Sequence, residues 1–545
     1  MRVFLIGSKS LSCNILTELI DQGHQVLGVY SRDDEPGMKT WHELGQNSLA
    51  ELSKSHGIPV HFGMKVNSPE SLELLTSLNL DIILSCFWSE IFKESILNIP
   101  KLGVYNFHTA FLPKNRGSRP IPWAIIKGEK HCGITVHRMM TGVDNGPIVA
   151  QSKVDILSSD NAKTLYEKVV DAGSLLAKKV IADFATNAFT LTLQDEQQAT
   201  YHPRGEPFGR QINPFWNQEQ KALFRRAFDY PPFKGAAEAP AKAMDGLAPK
   251  VYVMLGFDCD RPRGIYAFSE TGSAVAERKF KSLIETKKDL DILNIKRSYF
   301  IAGQFLESMA TMFGKAEMVD VFSGKDGLVE LGDHTYHHDI LKPLPSRPDK
   351  KALTHIQLRK EIRLNDGAFD RIFGNELKGR GLRSPLGYHK GMHGQYKSLD
   401  VLQRAGISYI STDLRDEKSS LHPKLYDENG LIRQPYRYEN GLLEIPAIGW
   451  QDTVFTGKSK TPLFETHPKS FIEIISYYHS LFVEAHEACK KYDRDIFIGL
   501  TLHPLDNSYY NENRQFFPRI KEVLDEVGGD FTTYGEVCTH YNSTL

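Results

Sequence analysis

The 545-residue sequence lacks several features that mark particular classes of protein. It has no uninterrupted run of about 18 apolar residues, so we predict no membrane-spanning helix and no membrane partner. Its first strand is not followed by a longer apolar core and a cleavage site, so we expect no secretory signal peptide. Its six cysteines include no Cys-x-x-Cys pair, which is typical of free thiols in a reducing compartment. These absences predict a cytoplasmic protein.

The sequence also lacks an excess of charge of one sign. It contains 66 Lys and Arg against 67 Asp and Glu, for a net charge of −1. This balance gives no support for a large nucleic-acid surface, so we expect no nucleic-acid partner. The hydrophobic content of 41% and the charged content of 24% are ordinary for a globular protein. A chain of this length predicts about two to four domains.

The first 30 residues predict a parallel α/β sheet. Arg2–Gly7 is a compact apolar strand, Ser10–Gly23 has a helical pattern, and Gln25–Tyr30 is a second strand. The turn after the first strand reads G-S-K-S, which is not the G-x-G-x-x-G fingerprint of a dinucleotide-binding fold.

Three polar residues stand out between Val104 and Gln151. Asn106 and His108 are two apart, so on a strand they face the same side. Asp144 lies in a glycine-containing loop that can bring its carboxylate close to a ligand. An amide, an imidazole and a carboxylate that converge on one cleft can move protons and stabilise an oxyanion. By itself, an Asn-x-His pair on a strand is more often only two polar residues.

The surrounding motifs make the catalytic interpretation stronger. In order they read N-F-H-x-A-x-L-P-x-x-R-G-x-x-P, W-A-I-x-x-G-E, G-I-T-V-H-x-M and G-V-D-x-G-P-I. This series resembles the core of the 10-formyltetrahydrofolate-dependent formyltransferases, which act on methionyl-tRNA, glycinamide ribonucleotide or sugar nucleotides. The resemblance implies that Asn106, His108 and Asp144 pass a formyl group from folate to a substrate amine through a tetrahedral intermediate. One departure is Ala110-Phe111 in place of the usual Ser before Leu-Pro.

The same resemblance implies a Rossmann-like N-terminal domain that binds 10-formyltetrahydrofolate. Its W-S-E-I-F segment follows a buried strand, and the family grips the pterin there with backbone groups. We therefore expect Phe87, Trp88 and Ile91, together with Asp144, to bind the cofactor. Trp88 fits an ordinary core or rim aromatic equally well. His137 alternates with Thr135 on a strand and is expected to be structural.

A composition change divides the chain. Gln211–Phe233 resembles the segment that closes the catalytic domain in the sugar-nucleotide branch, so the first domain is expected to span residues 1–233. Residues 234–250 are rich in Ala, Gly and Pro and are predicted to be a linker. No basic segment follows that would match the RNA-facing domain of methionyl-tRNA formyltransferases, which argues against a tRNA substrate.

Residues 251–545 carry a second set of polar residues. The apolar strand Val251–Phe257 is followed by Asp258 and Asp260, and carboxylates at the end of a strand are well placed for a barrel site. His334 and His338 are four apart and can face one metal together. At this spacing alone, such a pair is more often not a metal site.

Asp-x-Asp, H-T-x-x-H, R-x-P, a late Asp and L-x-L-H-P follow one another in this half. The series resembles the NodB-type polysaccharide deacetylases, which implies a distorted (β/α) barrel and a divalent metal, with zinc expected. The implied metal ligands are Asp260, His334 and His338. Three catalytic roles are also implied: Asp258 as general base, His503 as general acid, and Arg383 as the partner that holds Asp258.

Two departures from the NodB pattern bear on these roles. Cys259 separates the two aspartates, which are adjacent in the common motif, so the roles of Asp258 and Asp260 could be reversed. Leu386 stands where the family usually has Tyr after R-x-P, although its backbone amide can still serve an oxyanion hole. The polar segment Asp416–Gly441 is predicted to be an insertion of the kind that sets substrate choice.

Together the two halves predict a bifunctional enzyme of surface-glycan biosynthesis. The barrel would remove an acetyl group from an acetamido sugar or sugar nucleotide, and the N-terminal domain would formylate the exposed amine. Two alternatives stay open: a formyltransferase with a non-catalytic barrel used for binding or assembly, and two activities on different molecules. A methionyl-tRNA formyltransferase is disfavoured.

Overall fold

The computed structural model describes residues 1–214, 216–238, 243–325, 327–374, 381–417, 424–427, 430–448, 470–504 and 514–543. These residues form two compact units. Unit 1 comprises Met1–Pro207 and Phe215–Ala236, and unit 2 comprises Phe208–Pro214 and Ala237–Leu545. Residues 208–214 thus belong to unit 2, although they precede the predicted linker. Part of that linker, 239–242, and part of the predicted insertion lie outside the described residues.

Unit 1 alternates strands and helices along most of its length, as a parallel α/β sheet requires. Its strands are β1 (Arg2–Gly7), β2 (Gln25–Ser31), β3 (Val60–His61), β4 (Ile82–Cys86), β5 (Gly103–His108), β6 (Arg116–Gly117), β7 (His131–Arg138), β8 (Ile148–Asp155) and β9 (Tyr201–His202). Its helices are α1 (Lys9–Asp21), α2 (Pro36–Glu43), α3 (Leu49–Ser55), α4 (Pro69–Ser77), α5 (Glu94–Leu97), α6 (Pro120–Ile126), α7 (Ala162–Ala185) and α8 (Gln218–Ala227).

The main sheet of unit 1 has seven strands in the order β3-β2-β1-β4-β5-β7-β8. The first five are parallel, and β7 and β8 are antiparallel additions. The apolar runs of β1 and β4 are buried on both faces, as expected for strands covered by helices on each side. The carboxyl ends of β1, β2, β4 and β5 meet at one edge, where open α/β sheets bind their ligands.

Unit 2 also alternates strands and helices. Its strands are β10 (Gln211–Ile212), β11 (Ala237–Glu238), β12 (Val251–Cys259), β13 (Arg297–Ile301), β14 (Val329–Asp333), β15 (Gly381–His389), β16 (Tyr409–Arg415), β17 (Tyr436–Arg437), β18 (Leu443–Glu444), β19 (Ile496–Leu502) and β20 (Asp530–Thr532). Its helices are α9 (Gly264–Ala267), α10 (Glu270–Ile292), α11 (Gly303–Phe313), α12 (Lys315–Val321), α13 (His355–Phe373), α14 (Tyr396–Arg404), α15 (Phe471–Tyr492), α16 (Phe516–Glu526) and α17 (Tyr534–Asn542).

The main sheet of unit 2 curls into a closed circuit of backbone hydrogen bonds. Its strand path is β17-β18-β16-β15-β14-β13-β12-β19, with β20 also paired to β12. Beyond β18, the amides of Ile445 and Ala447 donate to carbonyls of β16, and the amide of Ile448 donates to Gly499 on β19 at 2.7 Å. Since β19 pairs with β12, the ladder returns to its first strand. This closure is compatible with the barrel that the resemblance implied.

All nine residues of β12 are buried, and the alternate residues from Val251 to Cys259 join a core shared with α10, α11 and α15. Such continuous burial is typical of a strand inside a parallel sheet. Among the described residues, no helix of either unit is both long and apolar enough to cross a membrane.

Candidate active sites

In unit 1, neighbouring strands bring the predicted polar residues together. Asn106 and His108 lie on β5. Strand β7 pairs with β5 in antiparallel register, so that His137 lies directly opposite Asn106. Asp144 follows in the loop between β7 and β8, with a left-handed φ of 50°. That backbone conformation is uncommon outside glycine and turns the Asp144 carboxylate toward the strands.

The carboxylate of Asp144 is the centre of this cluster. Its Oδ2 accepts a hydrogen bond of 2.8 Å from the backbone amide of Gly117 and lies 3.6 Å from His108 Nδ1. Its Oδ1 lies 3.5 Å from His137 Nε2, which in turn is 3.4 Å from the amide nitrogen of Asn106. Two imidazoles and a backbone N–H thus surround one half-buried carboxylate, and the Asn106 amide contacts it through His137.

Charge and burial act on Asp144 in opposite directions. Burial raises the pKa of its carboxyl, but the neighbouring His108 and His137 and the Gly117 amide lower it, and the net pKa lies well below the ordinary value. Asp144 is therefore ionised at neutral pH. A carboxylate this weakly basic orients and charges a histidine better than it accepts a proton.

The orientation of His108 is set on its other side. Its Nε2 is 2.9 Å from the backbone carbonyl of Asn115, which only accepts hydrogen bonds. Nε2 therefore carries a proton, and Nδ1 faces Asp144. His108 is only 7% exposed. To donate from Nε2 to a substrate oxygen, the ring must leave the Asn115 carbonyl.

Sequence reasoning missed the position of His137, which we expected to be structural. The structure places it in contact with both Asp144 and Asn106. The pairing of β5 with β7 would have indicated this contact, because it places His137 opposite Asn106 and Thr135 opposite His108. That register is a tertiary property that spacing in the sequence does not give.

Arg116, on β6, contacts two side chains from a later part of unit 1. Its guanidinium donates to the Gln194 side-chain oxygen at 2.9 and 3.0 Å and pairs with the Glu196 carboxylate at 2.7 Å. Gln194 in turn donates to the backbone carbonyls of Asp144 and Gly146, both at 2.7 Å. Arg116 therefore supports the loop that carries Asp144.

The expected cofactor residues follow the carboxyl end of β4. Phe87 has a left-handed φ of 57°, which turns the chain sharply out of the sheet. Trp88 is half-buried and donates from its indole to Glu90 at 3.1 Å, while Ile91 is 60% exposed. Within the described residues, the backbone N–H groups of Trp88 and Ile91 have no hydrogen-bond partner. These free amides fit a ligand that is recognised through the backbone.

In unit 2, Asp258 lies on β12 and Asp260 directly follows its last residue, Cys259. Cys259, between them, points into the apolar core and is fully buried. Asp258 and Asp260 are 3% and 6% exposed, and each contacts a different histidine. His334 Nε2 lies 3.8 Å from Asp258, and His338 Nε2 lies 3.3 Å from Asp260. The inserted cysteine thus leaves the two carboxylates with separate partners.

Arg383 on β15 fixes both Asp258 and His334. Its guanidinium donates to Asp258 Oδ1 at 3.1 Å and has no exposed surface. The Arg383 backbone carbonyl accepts from His334 Nδ1 at 2.9 Å. A histidine that donates Nδ1–H to a carbonyl keeps the lone pair of Nε2 free, which is the usual arrangement of a metal-binding imidazole.

Asp260 is surrounded by positive charge. Lys279 Nζ is 3.8 Å from its Oδ1, and the guanidinium groups of Arg261 and Arg263 lie 3.6 and 3.7 Å from its Oδ2. Burial raises the pKa of Asp260, but His338, Lys279 and the more distant His503 and His334 lower it well below its ordinary value. His503 directly follows β19, so the end of that strand also contributes to the charge around Asp260.

A second group of possible metal ligands lies close by. His337, Asp339 and Glu361 have ligand atoms that all lie within 4.8 Å of one another, and among the described residues this is the group of three that meets that distance. His337 Nδ1 is 2.8 Å from Glu361, and the side chain of His337 is 43% exposed. His337 thus faces away from Asp260, as its place between His334 and His338 in the sequence predicts.

Unit 1 is similar in sequence to known proteins. Residues 1–181 match the family described as formyl transferase. The methionyl-tRNA formyltransferase of Kosmotoga olearia is 33% identical over 232 residues, which cover 43% of this chain and 74% of that protein. Among solved structures, a sugar N-formyltransferase from a Shewanella species is 19% identical, covering 45% of this chain and 94% of that one with a TM-score of 0.37. A 4-N formyltransferase from Francisella tularensis is 21% identical, with coverages of 44% and 92% and a TM-score of 0.37.

The predicted formyltransferase half is thus confirmed at the level of the family. The match extends over β1 to β8 and most of α7, and therefore includes Asn106, His108 and Asp144. Through these residues the chain belongs to the formyl transferase family.

Proposed function

We propose that unit 1 transfers a formyl group from 10-formyltetrahydrofolate to the amine of an amino sugar or sugar nucleotide. The observation that carries the proposal is the Asp144 carboxylate held between His108 and His137, beside Asn106. This set provides a fixed negative charge, imidazoles that it can stabilise as cations, and an amide donor for an oxyanion.

The transfer requires few steps. The amine nitrogen bonds the formyl carbon, whose oxygen becomes an oxyanion, and the carbon–nitrogen bond to folate then breaks. The proton lost by the amine passes to the departing folate nitrogen. Asn106 has a free N–H for the oxyanion, because its amide carries two and only one faces His137. His108, charged by Asp144, is the second donor once it leaves the Asn115 carbonyl.

The turn after β4 supports the folate part of the proposal. Phe87 reverses the chain, and the amides of Trp88 and Ile91 are free for the pterin among the described residues. Asp144 would lie next to the formyl-bearing nitrogen. Aromatic and backbone groups at the carboxyl end of a parallel sheet suit a flat, hydrogen-bonding ring.

For unit 2 we propose a metal-dependent amide hydrolase that removes an acetyl group from an acetamido sugar. The fit of a metal rests on His334, whose Nε2 is left free by its contact to the Arg383 carbonyl, and on His338, whose Nε2 is 3.3 Å from Asp260. Among the described residues, His338 Nδ1 has no hydrogen-bond partner, so it can carry the proton. Asp260, His334 and His338 would hold the metal.

A divalent ion held by these residues, with zinc expected, would supply a Lewis acid for the amide carbonyl and would activate a water molecule. Asp258, held by Arg383, accepts the proton of the attacking water. His503 returns a proton to the departing amine nitrogen. The carbon–nitrogen bond breaks, giving acetate and a free amine.

The two proposed reactions fit in one order. Deacetylation exposes an amine, and formylation consumes one, so together they exchange an acetyl for a formyl group on a sugar of a surface glycan. If the two units acted on the same acyl group in opposite directions, one unit would only remove the group that the other had added. In this order, the amine product of unit 2 is the substrate of unit 1.

Mass spectrometry of acetamido sugar nucleotides, incubated with zinc-loaded protein, tests both halves. An amine product without 10-formyltetrahydrofolate and a formamide product with it are expected. The variant His503→Ala should lose both products from the acetamido compound but still formylate the free amino sugar. If this variant formylates the acetamido compound, the proposed order is wrong. Absence of any amine product and of bound zinc would favour a non-catalytic barrel.

The similarity of unit 1 to a methionyl-tRNA formyltransferase, 33% over 232 residues, supports a second candidate acceptor. The same assay with aminoacylated initiator tRNA separates the two. The nearly neutral net charge of the chain favours the sugar, because tRNA binding depends on basic surface. Faster formylation of the tRNA than of any amino sugar would reverse this choice.

A further inference from the structure

The backbone from Asn115 to Gly117 contacts both His108 and Asp144. Asn115 has a left-handed φ of 58°, and its carbonyl accepts from His108 Nε2 at 2.9 Å. Two residues later, the Gly117 amide donates to Asp144 Oδ2 at 2.8 Å. A residue other than glycine keeps a left-handed conformation only where neighbouring groups hold it. The orientation of His108 and Asp144 therefore depends on what holds this short stretch.

The side chain of Asn115 is buried and has a partner at each end of its amide. It is 2% exposed, its Nδ2 donates to Glu129 at 3.0 Å, and its Oδ1 lies 2.8 Å from His202 Nε2. Because an amide oxygen only accepts hydrogen bonds, His202 Nε2 carries a proton and donates it to this contact. The backbone amide of Asn115 donates to the Thr200 hydroxyl at 2.8 Å. Two hydrogen bonds thus join Asn115 to residues 200–202.

His202 is held by a ring stack and by a strand pairing. Its imidazole lies flat on the Trp123 ring of α6, with 4.3 Å between the ring centroids and 7° between the planes. Its strand, β9, pairs so closely with β6 that a Cβ on Gly117 would clash with the His202 carbonyl oxygen. Burial, with a smaller effect of Lys127, lowers the pKa of His202 to about 3, so the ring is neutral at physiological pH. His202 thus gives Asn115 a rigid donor that adds no charge to the site.

The W-A-I-x-x-G-E motif supplies two further contacts to this pair. Trp123, the first residue of the motif, stacks on His202, and Glu129, the last, accepts from the Asn115 side chain. The proposed transfer uses neither side chain directly. Both residues contact the His202–Asn115 pair, so the motif acts on the site through that pair.

We propose that His202 is a positioning residue for formyl transfer, which acts through Asn115 to fix the orientation and the tautomer of His108. The inference rests on the formyl transfer proposed above and adds to it a residue that is only 1% exposed. While His202 holds the Asn115 side chain, the Asn115 carbonyl stays on His108 and keeps a proton on Nε2. The His108 ring then begins each reaction from one position and with a proton to donate.

The variant His202→Phe tests this role, because phenylalanine can keep the stack on Trp123 but has no N–H for Asn115. We expect kcat of formyl transfer to fall about tenfold, with the KM values for amine and folate changed by less than about twofold. His202→Gln, whose amide N–H can reach the same acceptor, should recover most of the loss. His56→Phe, which replaces an exposed histidine after α3, is the matched control. A wild-type kcat in His202→Phe, or equal losses in His202→Phe and His202→Gln, would overturn the proposal.

The variant Asn115→Gly tests the same link from its other end. Glycine adopts a left-handed φ freely, but it has no side chain to accept from His202. If His202 acts through Asn115, Asn115→Gly should be about as slow as His202→Phe, and the double variant should be no slower than either. Losses that multiply in the double variant would show separate roles and contradict the proposal. A wild-type kcat in Asn115→Gly would contradict it too, whether or not His202→Phe folds.

Nuclear magnetic resonance tests the positioning without turnover. In protein whose histidines are labelled on nitrogen, long-range proton–nitrogen spectra show which ring nitrogen carries the proton, and His108→Gln identifies the His108 signals. His108 Nε2 should be protonated in the wild type and in His202→Gln, and its resonance should move toward that of an unprotonated nitrogen in His202→Phe. An unchanged His108 resonance in His202→Phe would overturn the proposal. A changed one supports it even if no tested amine is formylated, an outcome that would count only against the proposed transfer.

Discussion

Asn106 and His137 face each other across β5 and β7, with 3.4 Å between the Asn106 amide nitrogen and His137 Nε2. The same imidazole nitrogen is 3.5 Å from Asp144 Oδ1, so His137 lies between the amide and the carboxylate. Nε2 accepts from Asn106 when it is unprotonated and donates to Asp144 when it is protonated. His137 contacts two residues of the site, and we therefore assign it a positioning role. His137 thus links the strand that carries Asn106 to the loop that carries Asp144.

Replacing His137 by Ala should lower kcat of formyl transfer by about tenfold to a hundredfold, because Asn106 and Asp144 lose a shared partner. KM should change less than kcat. The control is His131→Ala, which removes an exposed imidazole from the same strand. Steady-state kinetics measures both. If His137→Gln, which can still hydrogen-bond, is as slow as His137→Ala, positioning by a hydrogen bond is the wrong explanation.

Replacing Asp144 by Asn should lower kcat by about a hundredfold or more, because His108 and His137 both lose the negative charge beside them. The amide can still accept from Gly117, so the protein should remain folded. Since the pKa of Asp144 is held well below its usual value, the wild-type rate should show no titration of this group between about pH 5 and 8. Asp155→Asn, an exposed carboxylate on β8, serves as the control.

The sequence motifs predicted three residues of the unit 1 site, whereas the contacts of other residues depend on tertiary structure. The resemblance led from the order of N-F-H and G-V-D to Asn106, His108 and Asp144, and the structure brings these together. His137 lies within the same motifs, in G-I-T-V-H, yet its contact to Asn106 depends on the register of two strands 31 residues apart. The support of the Asp144 loop by Gln194 comes from still farther along the chain.

In unit 2, too, the sequence does not show the contacts that depend on tertiary structure. Asp258 was singled out because it ends the apolar run of β12, and His334 because it lies four residues before His338. Lys279, which contacts Asp260 from the middle of α10, carries no such signal, because a lysine on an amphipathic helix is usually solvated. The hydrogen bonds by which Ile445–Ile448 close the unit 2 sheet were equally hidden, since this segment has no alternating pattern.

Replacing Arg383 by Met should destabilise unit 2 by about 3–5 kcal/mol, because the buried Asp258 carboxylate loses its guanidinium partner. Adding Asp258→Asn should recover much of this loss, since no uncompensated charge then remains. Chemical denaturation of the two single variants and the double variant gives the coupling energy. Arg371→Met, which breaks an exposed pair with Glu307, should cost about 0–1 kcal/mol. Additive losses would mean that Arg383 stabilises unit 2 only through packing.

Replacing His338 by Ala should abolish stoichiometric zinc binding, whereas replacing His337 by Ala should leave it intact. The two histidines are neighbours in sequence, but His338 faces Asp260 and His337 faces Glu361. Dialysis against zinc followed by elemental analysis gives the metal content of each variant. The opposite result would move the metal to the group of His337, Asp339 and Glu361. Zinc that is retained by both variants would be bound elsewhere.

Replacing Glu444 by Gln should make the stability of unit 2 less dependent on pH. Glu444 is fully buried, and burial and the nearby Asp413 raise its pKa from 4.5 to about 7. The folded unit therefore retains a proton that the unfolded chain releases above about pH 4.5, so stability is lost as pH rises toward 7. This pKa shift corresponds to a loss on the order of 3 kcal/mol in the free energy of unfolding as the pH rises from below the unfolded pKa to above the folded one.

The contacts of Glu444 explain why Gln is tolerated there. Its carboxylate accepts from the Thr412 hydroxyl at 2.7 Å and from the Tyr438 hydroxyl at 2.5 Å, and both hydroxyls can turn to accept from an amide. Thermal melts between about pH 5 and 8 should show a smaller decline for Glu444→Gln than for the wild type. The exposed Glu487→Gln should follow the wild type throughout. Parallel curves for Glu444→Gln and the wild type would show that Glu444 is ionised in both states and that Tyr438 and Thr412 hold a carboxylate.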